Sequence, residues 1–125
     1  MNLRSLFTIH AAITFAAGII LIVSPDLIPS VVGIHLDASG YLIAYLLGAA
    51  ELSLAALSCG GTTLTDAKAL RVIVTALVTL HALSGILEIY AFTQGLSAAI
   101  WGNVALRAIV IILFLYYGFY KTRGK

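Results

Sequence analysis

Residues 98–120, AAIWGNVALRAIVIILFLYYGFY, are long enough to cross a bilayer as a helix, and they carry an arginine, Arg107, near the middle. A guanidinium is effectively always protonated. Holding one at mid-membrane costs about 2.5 kcal/mol on insertion scales and more on an isolated helix. A chain that places Arg107 there must surround it with partners from other spans, or with a wet cavity between them. That requirement points to several helices packed around a polar interior.

Composition agrees. Of 125 residues, 62% are hydrophobic and 10% are charged, with a mean hydropathy of +1.10. A soluble domain carries about 25% charged residues, so this chain lacks the polar surface to face water. Its natural environment is the lipid bilayer. The net charge of +2 is small and scattered, and gives nucleic acid no footing. Cys59 is the single cysteine, which excludes an internal disulfide, a CxxC pair and a cysteine-based zinc site. It reads as a small buried apolar residue. No metal site and no cofactor is expected. Residues 1–23 hold a basic residue and an apolar run. The run is too long for the core of a signal peptide and lacks an A-x-A-like cleavage site, so it reads as a retained first span.

The punctuation divides the chain into four spans. The first covers about 5–23 and is closed by Ser24-Pro25-Asp26, because proline cannot extend a helix and disfavours helical geometry before it. The second covers about 40–58 and should end at Gly60-Gly61. The third, about 69–92, follows Thr65-Asp66, either of which can cap it, and ends at Gln94-Gly95. The fourth is 98–120. Each reaches the roughly 20 residues a bilayer needs. The expected fold is all-α, a four-helix transmembrane bundle forming one domain over residues 1–125.

Lysine and arginine set the orientation. Arg4 precedes the first span, Lys68 and Arg71 lie at the turn between the second and third, and Lys121, Arg123 and Lys125 follow the fourth. Loops 24–39 and 93–97 have neither, so both N and C termini should be cytoplasmic. The outer loop, 24–39, is too apolar for a free loop. Leu27, Ile28, Val31, Val32 and Ile34 are expected to lie along the interface as a short helix or turn that lids the bundle, with His35 and Asp37 solvated. Tyr90, Trp101, Tyr116, Tyr117 and Tyr120 sit near span ends, as interfacial aromatics do.

Hydroxyls aside, six polar side chains fall inside the spans: His10, Glu51, His81, Glu88, Asn103 and Arg107. His81 and Glu88 share a face of the third span with Ser84 and Gly85, and Asn103 and Arg107 share one of the fourth. Around Glu51 the series Ala44, Gly48, Ala55, Ser58 is small throughout and lets another helix come close. His10 continues through Thr14 and Ala17. Counted from the cytoplasmic ends at about 1.5 Å per residue, His10 lies at about 8 Å and Glu51 at about 11 Å. His81 and Arg107 lie at about 18 Å, with Asn103 and Glu88 at about 25 to 28 Å. This arithmetic gives Arg107 the choice of Glu88 above or Glu51 below, with Glu51 and His81 as the expected company. It also sets His10 and His81 about 10 Å apart in depth, too offset to be axial ligands of one haem iron.

Gly48-Ala49-Ala50-Glu51-Leu52, Leu57-Ser58-Cys59-Gly60 and Leu80-His81-Ala82-Leu83-Ser84-Gly85 together resemble the DoxX-like group of small bacterial four-helix membrane proteins. That group has a glutamate in its second span, a Gly and Thr turn, and a His followed by Gly in its third. The likeness covers spans two and three, and Glu51 and His81 are the positions that carry over. Ser53-Leu54-Ala55 stands where the group has Gly-Gly, and Arg107 has no counterpart. The resemblance implies a bacterial inner-membrane bundle, in some members tied to quinone or redox partners.

Intramembrane ionisable residues are functional candidates, and several readings are open. One is a binding or accessory protein that holds a lipophilic ligand, quinone- or lipid-like, or a membrane partner. A second is an enzyme on a lipophilic substrate, with His81 or Glu51 as acid/base group and Arg107 stabilising an anion or carbonyl. A third is transport, in which Glu51 exchanges protons for a solute. A fourth is a network that only holds four helices in register. The small faces can pack within one chain or between copies, which leaves a homo-oligomer open.

Overall fold

The computed structural model describes residues 1–121, so Arg123 and Lys125 of the basic tail lie outside the described residues. Helix α1 is Leu3–Val23, started by Asn2, whose Oδ1 accepts from the Ser5 amide at 2.8 Å. A single turn, α2, spans Leu27–Ser30. Helix α3 is Ala38–Thr63, capped by Asp37, and α4 is Ala67–Thr93, capped by Asp66, which accepts from the Ala69 amide at 2.7 Å. The α4 helix stops at Gln94, and Gly95 turns the chain with a φ of 101°, a conformation glycine adopts without strain. Helix α5 is Ile100–Leu115 and continues as one π-helical turn, Tyr116–Tyr120. All described secondary structure is helical, and four helices are long and apolar enough to cross a membrane.

Two expectations fail in α3. Gly60-Gly61 does not end the helix, which runs on to Thr63 and closes at Leu64. Gly61 is there for space: a Cβ on it would stand 3.0 Å from the Phe7 ring of α1, whereas one on Gly60 would meet nothing. Cys59 is exposed, not buried. With Ser58 and Gly61 turned inward, the helical rotation swings the intervening residue toward lipid.

The outer loop is held by Asp26, whose part goes beyond the helix stop at Ser24-Pro25-Asp26. Asp26 accepts from the Leu36 amide at 3.0 Å and from the Tyr41 hydroxyl at 2.8 Å, tying the loop to the start of α3. The α2 turn packs against α1 and leaves Leu27 and Val31 well exposed. It is a strap along α1. It does not lid the bundle.

Packing pairs the helices unevenly. Most contact is made by α1 with α3 and by α4 with α5, and the two pairs meet each other thinly. In the first pair the small face does what its composition requires. A Cβ on Gly18 would come within 2.9 Å of the Gly48 carbonyl oxygen, and Ala44, Gly48, Ala55 and Ser58 are all buried. The pairs are joined by a cluster of Leu6 and Phe7 from α1, Ile73, Val74 and Leu77 from α4, and Phe114 from α5. Phe7 and Phe114 are fully buried, with ring centroids 5.4 Å apart. The outward faces, such as Leu42, Ile43 and Leu46 on α3 and Leu83, Ile86 and Leu87 on α4, are left for lipid.

Candidate functional site: a polar crevice between α1 and α5

Arg107 does not take Glu51 as its partner. Its Nε donates to Glu88 Oε1 at 2.8 Å, and the same oxygen accepts from Asn103 Nδ2 at 2.6 Å. The i, i+4 spacing of Asn103 and Arg107 on α5 brings both donors to one carboxylate on α4. Among the described residues, Glu88 Oε2 is buried without a hydrogen-bond partner. Arg107 Nη1 also donates to His81 Nδ1 at 3.3 Å, so of the two expected companions only His81 is bonded.

The depth estimate holds where Arg107 meets His81 and Asn103 meets Glu88, and fails for His10. His10 and His81 touch, Nε2 to Nε2 at 2.9 Å, with their rings edge to face. Counting residues along upright helices ignores tilts of about 20° and the reach of two imidazoles toward each other. The 10 Å offset therefore no longer argues against shared ligation. The contact itself argues against a pair of axial haem ligands: these lie on opposite sides of the iron, about 4 Å apart with metal–nitrogen bonds of about 2.0 Å, whereas the two Nε2 atoms stand 2.9 Å from each other. Among the described residues, no group of three or more His, Cys, Asp or Glu could hold a metal.

The hydrogen bonds fix both tautomers. A guanidinium only donates, so His81 Nδ1 accepts and the His81 proton sits on Nε2. That N–H donates to His10 Nε2, which leaves the His10 proton on Nδ1, donating to Ser58 Oγ at 2.8 Å. His10 and Ser58 are buried, and Phe114 stands edge-on to the His10 ring at 5.4 Å. One chain of bonds thus runs Arg107, His81, His10, Ser58 across α5, α4, α1 and α3. Both imidazoles in it are neutral, with every ring nitrogen used. Ser58 entered the sequence reading only as a small residue. Its hydroxyl, seven positions after Glu51 on the same face, was the available signal.

Glu51 is half-buried and, among the described residues, takes no hydrogen bond from any side chain, although it lies within electrostatic reach of Arg107. It opens onto a crevice of about 280 Å³. Helices α1 and α5 form the walls, with Ile9, Ile13, Leu106 and Ile109 exposed at the rim, and Glu51, His81, Asn103 and Arg107 line the interior. Since α1 and α5 barely touch, the crevice opens sideways into the bilayer. A larger groove of about 670 Å³ runs along α1 and α3 past Ala12, Phe15, Leu52 and Cys59, but no charged side chain or imidazole lines it. No family model, curated protein or solved structure matches this chain.

Proposed function

We propose that this small multi-pass membrane protein holds a lipophilic molecule, quinone- or lipid-like, by its polar head in the crevice between α1 and α5. One observation carries the reading: an apolar mouth open to lipid leads to a cluster with unspent hydrogen-bonding capacity. Among the described residues, Arg107 uses two of its five N–H groups and Glu51 none of its oxygens in side-chain bonds. A purely structural network would use both. A cavity of about 280 Å³ suits a head group, its chain lying between Ile13 and Ile109. The likeness of Glu51 and His81 to the DoxX-like group supports the same reading and a bacterial inner-membrane location, while Arg4, Lys68, Arg71 and Lys121 support cytoplasmic termini.

Native mass spectrometry of the protein extracted in mild detergent from its host membrane tests this. A discrete bound mass is expected, lost in Ala17→Trp, which fills the crevice from α1, and in Glu51→Gln. A wild-type protein that arrives bare, or an adduct indifferent to Ala17→Trp, overturns the reading.

A further inference from the structure

The crevice and its surroundings hold two carboxylates and a single guanidinium. Among the described residues, the polar groups that line the crevice with Glu51 are His10 and Thr14 from α1, His81 from α4, and Asn103 and Arg107 from α5, with Ser58 of α3 and Glu88 of α4 bonded behind them. The imidazoles are neutral and have no free nitrogen. Glu88 is matched by Arg107 at 2.8 Å and does not line the crevice. An ionised Glu51 therefore leaves one negative charge unmatched in an apolar surround, where an unpaired charge is costly. Neutrality needs either a proton on Glu51 or a monovalent cation beside it.

We propose that the crevice takes the cationic head of a lipophilic amine or quaternary ammonium amphiphile, and that this head and a proton compete for Glu51. The exchange balances. The Glu51 O–H bond breaks, its proton leaves to water, and the carboxylate keeps the electron pair and faces the incoming cation. An anionic head would instead add to the unmatched negative charge, and Arg107 is already engaged by Glu88. This inference rests on the crevice being the ligand site, and narrows what it takes.

The test is a titration of dodecyltrimethylammonium into the protein in dodecyl maltoside micelles, in weak buffer with a pH indicator. The expected result is a proton released with each cation bound, and an apparent affinity that rises about tenfold per pH unit while Glu51 starts out protonated. Glu51→Gln should abolish both signals. Glu88→Gln should abolish them too, because it frees Arg107 to neutralise Glu51, and it carries the test should Glu51→Gln fail to fold. Proton release that survives either substitution overturns the proposal. Dodecanol separates the two readings. If the alcohol binds and loses binding in Ala17→Trp while the ammonium does not bind, the cation inference falls and the ligand site stands. If neither binds, both fall.

Discussion

Arg107 belongs to a set of bonds in which each member depends on the next. Removing one partner of a paired charge in an apolar surround typically costs about 3–5 kcal/mol, because the other is left uncompensated. Arg107→Gln leaves Glu88 and Glu51 with no cation and should lose stability in that range, read as thermal unfolding in micelles. Glu88→Gln should lose distinctly less, since Glu51 is within electrostatic reach of the freed guanidinium. Ser58→Ala strands the buried His10 N–H and should cost about 1–3 kcal/mol by the same measurement. The sequence shows which residues need partners, since no lone arginine can sit in a bilayer. It does not show who pairs with whom, because Glu51 and Glu88 both lie within reach of a long, flexible side chain.

Among the elements, the adjacent glycines of α3 make opposite demands. Gly60→Ala adds a methyl to open space in a helix and should stabilise by about 0.5–1 kcal/mol. Gly61→Ala presses a Cβ against the fully buried Phe7 ring and should destabilise by about 1–3 kcal/mol. Melting the two variants side by side checks both signs. The start of α3 carries a pH dependence. The Ser39 hydroxyl and the Gly40 amide donate to Asp37 and hold its carboxyl below its ordinary value. With the folded pKa depressed, the stabilisation is complete above the ordinary carboxylate range and is lost as pH falls through the folded value. Hydrogen exchange at the Gly40 amide should therefore stay protected from neutral pH down through that range and speed up only below it. The four spans and the Asp66 cap were legible from apolar length and local side-chain-to-backbone bonding. The end of α3 was not, because a glycine that stops a helix and one that admits a neighbouring ring look alike in sequence.

At the scale of the molecule, two tight pairs, α1 with α3 and α4 with α5, meet through Phe7 and Phe114 and through the two imidazoles. Phe7→Ala should cost about 3–5 kcal/mol in unfolding. It should also loosen the pairs, so that the ¹⁵N shifts of His10 and His81 lose the signature of a fixed tautomer. The crevice follows from the same thin junction, since helices that pack closely in pairs leave a seam where the pairs diverge.

By itself the sequence determined that the chain is helical, that four stretches can cross a bilayer, and which face of each turns inward. Those outcomes rest on local quantities: apolar length, helical period and the cost of placing charge in lipid. Only the tertiary structure decided that Arg107 takes Glu88 and His81, that His10 meets His81, and that Glu51 is left facing a crevice. These depend on tilt, on unequal packing between helix pairs and on side-chain reach. All three are set by contacts between residues far apart in the chain, which no periodicity along it records.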